Sequence, residues 1–475
     1  MKICFSVRPM YDDLSIKLFK CLRDEFKLDI KGVFVATTKG EYDNAIKALS
    51  VYSKDTYNVY NISEFIERNW DKLSILKLSE YEKKYECSPV WKMIYSDRFL
   101  INYSNVDAVK MTAGFFMFFE ELFSKHDISF YYDEVVATIQ PFVAYYVGKK
   151  HGVEYFTQMI ARGLDRTHHY FIKDIYQHNA LFNEMYKQKT YSEELYNAAD
   201  TFLRNFEEND IKPGFMSVVG KEPKFRLKFL LYPLLYIKNY FRPEAHNKFS
   251  HIYYGLHKNS FEGLKRYFRY IRAQKYYKQP NKNQKFIYYP LHFQPEASTI
   301  VCAQKYEKQM FFIDSIAKNL PADTLLYVKE HYAFLGSRHL SFYKEINKNY
   351  PNVVIIDPFF NSRDLIMESQ AVATLTGTAG WEAMLLRKPV ILGGSIFYEN
   401  APGIMKVDDV FSELNEKLKT YCRPSREEVI LYLCEYLSTV FEGTTNISNP
   451  NYHKDDNIRK VSEAFYKYVQ NKISR

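Results

Sequence analysis

The chain has 475 residues, more than one hydrophobic core usually organises, so its length predicts two domains or two domains with an inserted region. Hydrophobic residues at 47% and charged residues at 25% exclude a disordered chain. The N-terminal sequence MKICFSVRPMYDD lacks the pattern of a signal peptide, and no apolar stretch reaches the roughly 18 uncharged residues of a spanning helix. We therefore expect a cytoplasmic protein.

The formal net charge of +9 is unevenly distributed along the chain. Residues 221–285 contain sixteen Lys or Arg against three Glu, a local balance of +13, so the rest of the chain carries −4. A basic block within a slightly acidic protein indicates an anionic surface or substrate as its partner.

The six cysteines lie far apart, without a CxxC pair or a Cys/His cluster at zinc-like spacing. We expect reduced thiols, mostly in the core, no metal site and no cofactor other than a co-substrate.

The N-terminal part alternates short apolar runs with helical patterns. The strand candidate KICFSV precedes a helical pattern at about 13–26, and the strand candidate DIKGVFVAT follows. The same alternation recurs farther along, with a long apolar helix near 106–123 and the strand candidates ISFYYDE and VEYF. Strands that alternate with helices are typical of a parallel α/β sheet, so residues 1–166 predict a Rossmann-like N-terminal domain.

The alternation stops at about residue 167, and residues 167–285 predict a basic, aromatic, helical insertion. It resumes at KFIYYPLHF and continues through the strand candidates TLLYVKEH, NVVIID, AVATLT and PVILGG, so residues 286–450 predict a second Rossmann-like domain. Residues 451–475 predict a C-terminal helix that packs back on the first domain. Two facing Rossmann-like domains bind their ligand at the carboxyl ends of their strands, so we expect the functional residues there.

The turn after AVATLT has the strongest pattern for an anion site. The strand is followed by Thr-Gly-Thr-Ala-Gly, and a helix is predicted to begin near Trp381. Free backbone N–H groups and the helix dipole favour a phosphate there, and threonine hydroxyls add donors. The residues assigned to this nucleotide side are Thr376, Gly377, Thr378, Ala379 and Glu382. The alternative is an ordinary βα turn whose glycines serve packing and whose glutamate caps the helix.

Two further strands of this domain end in polar residues. TLLYVKEH ends in Lys329, Glu330 and His331, with Arg338 close behind, which places these polar groups at the nucleotide-sugar site. His331 can hydrogen-bond a phosphate, and Lys329 or Arg338 can neutralise it. The opening strand runs into a second polar group that could face the base or sugar: His292, Gln294 and Glu296. A structural role is the alternative for each, since a lone histidine is often structural and a proline shapes the second segment.

The N-terminal domain offers an acidic pair and two arginines. Asp133 and Glu134 end the strand ISFYYDE, where a carboxylate can activate an acceptor or act as a nucleophile. Arg162 and Arg166 follow the next strand, at a spacing that suits an anionic donor or acceptor sugar. The alternative is that the acids cap a helix and pair with the arginines.

These motifs together resemble the capsule polysaccharide synthesis family. The resemblance rests on VKEH with its Gly/Arg segment, on TLTGTAGWEAMLLRKPVILGG and on YPLHFQPEAST, over about residues 286–404. It implies a GT-B-like glycosyltransferase, since characterised members transfer Kdo from a CMP-linked donor to lipid or polysaccharide acceptors. In that family a His-Pro pair contacts the donor phosphate, and His331 stands at this position with Tyr332 in place of proline.

The leading hypothesis is a metal-independent glycosyltransferase with a nucleotide-sugar donor, His331 and one of the acidic pair being catalytic. The basic insertion, with aromatics between its cations, predicts that the protein binds peripherally to the anionic surface of the inner membrane, on its cytoplasmic face. Nucleic acid is not expected as a partner. A solvated helical face is the alternative for the insertion. Alternatives for the whole chain are a sugar-nucleotide epimerase, a polyol-phosphate transferase, and a non-catalytic assembly or export component.

Overall fold

The structure is a computed structural model, and it describes residues 1–8, 12–87, 89–209, 234, 237–238, 240–255, 262–281 and 283–473. The chain forms two compact units. Unit 1 comprises Met1–Leu181, Tyr240–Leu256 and Thr439–Arg475, and unit 2 comprises Phe182–Asn239 and His257–Ser438. Each unit is built on its own β-sheet with helices, so the predicted pair of Rossmann-like α/β folds is confirmed.

Unit 1 contains a seven-stranded sheet that is mostly parallel. Its strands are β1 (Lys2–Val7), β2 (Lys31–Ala36), β3 (Tyr57–Asn61), β4 (Phe130–Tyr132), β5 (Glu154–Ile160), β6 (His168–Ile172) and β13 (Phe441–Glu442). Their order is β13-β6-β5-β4-β1-β2-β3, and only the β5–β6 and β6–β13 pairs are antiparallel. The strand order reverses direction between β1 and β4, so that the carboxyl ends of these two strands flank the switch point of the sheet.

The helices of unit 1 cover a sheet whose central strands are buried on both faces, as parallel sheets require. The longest one begins after Ser104, whose Oγ accepts the Asp107 N–H at 3.1 Å and so caps the helix. The helices of this unit are Asp12–Asp24, Lys39–Leu49, Ile62–Arg68, Ile75–Lys84, Val90–Tyr95, Asn105–Lys125, Ile139–His151, Pro243–His246 and Asp455–Ile473.

Unit 2 contains a six-stranded sheet in which every pair is parallel. Its strands are β7 (Lys285–Pro290), β8 (Thr324–Lys329), β9 (Val353–Ile356), β10 (Ala371–Thr374), β11 (Val390–Leu392) and β12 (Ile404–Lys406). The order β12-β11-β10-β7-β8-β9 places the switch point between β7 and β10. The helices are Glu193–Glu208, Glu262–Ala273, Ala297–Ile300, Gln309–Ala317, Leu340–Asn349, Ser362–Glu368, Thr378–Leu385, Val410–Thr420 and Arg426–Ser438.

The region predicted as a helical insertion differs from the expectation in two respects. It begins with strand β6, which pairs antiparallel with β5 in a local hairpin, because HHYFI is rich in β-forming residues. Its described residues also belong to both units rather than to a separate body. Residues 221–233, with the first cations of the basic block, lie outside the described residues.

The helix Asp455–Ile473 completes the core of unit 1. The ring of Phe465 is fully buried, with its centroid 5.0 Å from that of Phe156, 5.3 Å from that of Tyr132 and 6.1 Å from that of Phe5. These partners lie on β5, β4 and β1, so residues from the two ends of the printed sequence share one apolar cluster. No helix among the described ranges is long and apolar enough to cross a membrane.

We predict that Phe465→Ala lowers the free energy of unfolding by about 3 to 5 kcal/mol, because it removes a buried ring and leaves a cavity. Urea unfolding followed by intrinsic fluorescence measures the effect. Asn471→Ala, at an exposed position of the same helix, is the matched control and should change the free energy by less than about 0.5 kcal/mol. Equal losses in the two variants would contradict a core role for this ring.

Candidate functional site

At the switch point of unit 2, a hydrogen bond connects the loops that follow the two central strands, β7 and β10. His292 follows β7 and Thr376 follows β10. The Thr376 N–H donates to His292 Nε2 at 3.2 Å, and Thr374 Oγ1 lies 3.3 Å from the same nitrogen. His292 is buried, and burial above all, followed by the nearby His331 and Arg338, lowers its pKa to about 3. The ring is therefore neutral at physiological pH and accepts the Thr376 N–H throughout.

The turn predicted as an anion site leads into the helix Thr378–Leu385, which begins three residues earlier than expected. Thr376 Oγ1 donates to the Ser298 carbonyl at 2.8 Å, and the Gly377 N–H donates to Thr374 Oγ1 at 2.9 Å. The donors of Thr376 and Gly377 are thus used within the protein, contrary to the expectation for a phosphate site. The first-turn N–H groups of Thr378 and Ala379 have no carbonyl to bond within the helix and point out of its N-terminus.

Lys329 ends β8 as a buried cation. Its Nζ donates to the Phe360 carbonyl at 2.5 Å and to Ser362 Oγ at 2.7 Å. Burial lowers the pKa of Lys329 to about 7, although the charges of Glu382 and Asp357 oppose the shift. A lysine whose pKa is lowered to near neutral pH is typical of a functional site. A bound anion would favour the charged form of this lysine.

Glu330 and Arg338 form a buried ion pair, with Arg338 Nε 2.7 Å from Glu330 Oε2. The Tyr343 hydroxyl also donates to this carboxylate at 2.6 Å, and Arg338 Nη2 donates to the His292 carbonyl at 3.3 Å. Arg338 is therefore compensated inside unit 2 and ties the loop after β8 to the loop after β7. Both side chains are thus bonded within unit 2, although the sequence suggested that Arg338 neutralises a phosphate.

His331 begins the short helical turn Tyr332–Phe334. Its Nδ1 accepts the Ala333 N–H at 3.2 Å, so the proton of the neutral ring lies on Nε2. Burial lowers the pKa of His331 below its ordinary value, and the charge of Glu330 opposes the shift only in part. The ring is thus a neutral donor at pH 7.

The other predicted residues of unit 2 have unequal positions. Gln294 is bonded internally, with its Oε1 accepting from Gln309 Nε2 at 2.8 Å. Glu296 is exposed ahead of the helix Ala297–Ile300, and Glu382 is half-buried in the second turn of its helix. The charge of Glu382 acts on Lys329, so these two predicted residues are brought into one group.

The switch point of unit 1 opens into a cavity of about 160 Å³. Arg8, which follows β1, pairs with Asp133, which follows β4, through Nε–Oδ1 at 2.9 Å and Nη2–Oδ2 at 3.1 Å. Both side chains are buried, and Asp133 also accepts from the Tyr131 hydroxyl. Burial lowers the pKa of Arg8, but the charge of Asp133 more than offsets this, so its pKa lies above the ordinary value. Asp133 is thus engaged by both Arg8 and Tyr131.

Glu134 lines the same cavity beside this ion pair. Burial raises the pKa of Glu134, the charge of Arg8 opposes the shift, and that of Asp133 adds to it. A raised carboxyl pKa brings proton exchange closer to neutral pH, as acid–base catalysis requires. Of the predicted acidic pair, Glu134 is the residue whose pKa is raised.

Arg162 and Arg166 lie in the loop between β5 and β6, and both are half-buried. Burial lowers the pKa of Arg166, and the charge of Arg162 lowers it further, so the two guanidinium groups are near neighbours. Two close cations favour an anion between or beside them.

Sequence reasoning missed Arg8, although the rule that selected Asp133 applies to it equally, since it directly follows the first strand. Five of the six cysteines are buried and Cys422 is exposed. Within the described ranges, no three His, Cys, Asp or Glu side chains are grouped as metal ligands would be.

We predict that Arg8→Met destabilises the protein by about 3 to 5 kcal/mol, because it leaves the buried Asp133 carboxylate without its partner. Urea unfolding measures the loss. The double variant Arg8→Met/Asp133→Asn removes the orphaned charge and should recover part of the stability. A single variant as stable as the wild type would show that the pair is not needed for folding.

Comparisons with known proteins give distant structural likenesses. Thermosulfurimonas dismutans KpsC, beta Kdo 2,4 transferase, is 15% identical, with 73% of this chain and 92% of that chain covered and a TM-score of 0.37. The beta Kdo 2,7 transferase of the same organism is 13% identical, with 74% and 89% covered and a TM-score of 0.36. Methanocaldococcus jannaschii UDP-GlcNAc 2-epimerase is 11% identical, with 92% and 99% covered and a TM-score of 0.27. No curated protein matches significantly.

A family comparison matches a large internal segment. Residues 228–419 match the family described as capsule polysaccharide biosynthesis protein. The match includes β7 to β12 and therefore every predicted residue of unit 2. This match confirms the resemblance predicted from the strand-end motifs, over a segment that covers less than half of the chain.

Proposed function

We propose that the protein is a glycosyltransferase that moves a sugar from a nucleotide-activated donor to a capsule or surface polysaccharide or a lipid-linked acceptor. The observation that supports the proposal is the set of phosphate-compatible donors that follow the parallel strands β8 and β10 of unit 2, inside the segment matched to the capsule family. Open α/β sheets bind their ligands at this place. The proposal locates the activity in the cytoplasm, on the side where the sequence predicted the protein to reside.

In this proposal the donor phosphate binds at the start of the helix Thr378–Leu385. The N–H groups of Thr378 and Ala379, the Nε2–H of His331 and the ammonium of Lys329 are donors of the kind that bind phosphate oxygens. The hydrogen bond between His292 and Thr376 keeps the turn in shape before the ligand arrives. Preorganised donors stabilise the negative charge that grows on the leaving phosphate, which is usually the largest contribution to such a reaction.

Glu134 is the proposed proton acceptor. The bond between the anomeric carbon and the donor phosphate breaks, a new bond to the acceptor oxygen forms, and the acceptor proton passes to Glu134 while the nucleotide leaves with the electron pair. Asp133 remains paired with Arg8 and positions Glu134, whose N–H donates to Asp133 Oδ1 at 2.7 Å. Arg162 and Arg166 are the proposed contacts of an acidic sugar.

The proposal is tested with CMP-, UDP- and GDP-linked sugars, each incubated with and without a polysaccharide or lipid-linked acceptor. Release of nucleotide that depends on acceptor, with the sugar found on the acceptor, supports a transferase. Conversion of the donor sugar to its epimer would identify an epimerase instead. A chain that binds no nucleotide by thermal shift would be an assembly component. Since protein groups supply the proposed charge stabilisation, transfer is expected to persist in a chelator.

We predict that His331→Ala and Glu134→Gln each lower kcat by about 10² to 10³, since each removes one group that acts in the transition state. The two variants separate in donor binding. Thermal shift with the preferred nucleotide should weaken in His331→Ala and stay unchanged in Glu134→Gln. Full turnover in a folded His331→Ala protein would return this residue to a structural role.

We predict that donor binding weakens as pH rises through about 7, because Lys329 has a pKa of about 7 and loses its positive charge above it. Calorimetry with a CMP-linked sugar suits the test, since a phosphodiester lacks the second ionisation near pH 6 of a monoester. The dissociation constant should rise by up to about tenfold per unit between pH 7 and 9. His331 titrates on the acid side of this range, so it does not obscure the result.

Lys329→Arg is the matched control for the pH profile, because a guanidinium stays charged throughout. Its dissociation constant should be independent of pH from 7 to 9. An identical pH dependence in wild type and Lys329→Arg would exclude Lys329 as the group that binds the phosphate.

A further inference from the structure

One face of the helix Glu262–Ala273 contacts the loop that follows His331. Arg266 Nη2 donates to the carbonyls of Ala333 at 3.0 Å and Leu335 at 3.2 Å. Arg269 Nη1 donates to Glu262 Oε1 at 2.7 Å and lies 3.4 Å from the Ser337 carbonyl. These two arginines of the basic block therefore serve the interior of unit 2.

The opposite face of this helix is exposed and has a different composition. Its exposed residues are Lys265, Phe268, Ile271 and Arg272. At 100° per residue these four positions fall within one arc of about 120°. Phe268 is 50% exposed and Ile271 is 46% exposed, so two large apolar side chains lie in water beside two cations.

A third cation, Lys275, is exposed in the turn that follows the helix. Lys265, Arg272 and Lys275 form no ion pair with any residue in the described ranges. The acid of the helix, Glu262, is paired with Arg269. We name the five residues Lys265, Phe268, Ile271, Arg272 and Lys275 the outer face.

We propose that the outer face binds the surface of a membrane that contains anionic lipid. Cations attract the lipid phosphates, while an exposed Phe and Ile gain free energy by entering the boundary between headgroups and acyl chains. Nucleic acid would satisfy the cations but leave the two apolar side chains in water. The inference stands independently of the proposed reaction, because none of the five residues belongs to the candidate site.

This assignment separates the cations of the basic block into those that bond the interior of unit 2 and those on the outer face. Sequence alone treats Lys265, Arg266, Arg269 and Arg272 alike, whereas the structure leaves only the first and last of these on the exposed face. Charge reversal at Arg266 or Arg269 would disturb the loop of residues 333–337 and would not report on lipid binding.

The test uses the full chain and the triple variant Lys265→Glu/Arg272→Glu/Lys275→Glu. Sedimentation with vesicles of phosphatidylglycerol and phosphatidylethanolamine should show binding of the wild type, release by salt, and a loss of affinity on the order of 100-fold in the variant. The matched control, Lys47→Glu/Lys83→Glu/Lys149→Glu, changes the net charge equally at exposed positions elsewhere and should bind much more tightly than the outer-face variant. Equal thermal unfolding midpoints establish that both variants are folded.

The double variant Phe268→Ser/Ile271→Ser tests the apolar contribution at constant charge. It should weaken vesicle binding by tenfold or more and make the remaining binding more sensitive to salt. The proposal is overturned if the outer-face variant binds as the control does, or if the wild type binds phosphatidylcholine vesicles equally well. It is also overturned if the serine variant alters the oligomeric state and leaves vesicle binding intact, since the face would then bind a second copy of the chain.

Discussion

The candidate site of unit 2 depends on the hydrogen bond from the Thr376 N–H to His292 Nε2. It joins the residues that follow β7 and β10, the two strands between which the sheet changes direction. Parallel strands diverge beyond this point, and a crevice opens between their loops. Without a neutral acceptor at His292, the buried Thr376 N–H would lose its partner and the turn ahead of the helix Thr378–Leu385 would lose its fixed position. The low pKa of His292 keeps this acceptor available at any pH the protein meets.

In unit 1, an ion pair instead of a hydrogen bond connects the loops that follow the two central strands. Its two central strands are followed by Arg8 and Asp133, which neutralise each other in a buried ion pair. A buried pair gains little net stability over apolar packing, but the loss of one partner is severe. It does fix the backbone of the segment that carries Glu134, and it surrounds that carboxyl with charges of both signs. One switch point is thus rigid and neutral, whereas the other keeps a titratable group beside a rigid pair.

The sequence predicted nine of the thirteen strands, because each of these is a short apolar run of the length typical of a strand that is buried on both faces. KICFSV and AVAT are strands as expected. Four strands were not predicted: β3, β6, β12 and β13. β3 carries asparagines, the histidines and aromatics of β6 continue into a basic region, and β12 and β13 are too short to leave a pattern. The sequence predicted which polar residues lie at the strand ends, but it did not predict the hydrogen-bond and ion-pair partners of their side chains. Nothing in the spacing of Glu330 and Arg338 distinguishes a buried ion pair from two residues that line a ligand site, because the two cases differ only in the directions of the side chains.

The path of the chain through the two units sets the order in which they can be completed. Residues 439–473 supply β13 and the helix around Phe465 to unit 1, and they are synthesised after all of unit 2. Domains generally fold as they leave the ribosome, the first before the second. The core of unit 1 therefore stays incomplete until unit 2 has been translated. Until then, the rings of Phe5, Tyr132 and Phe156 are not covered by the helix Asp455–Ile473. During that interval the nascent chain displays an apolar surface of the kind that chaperones bind, while unit 2 is already free to fold.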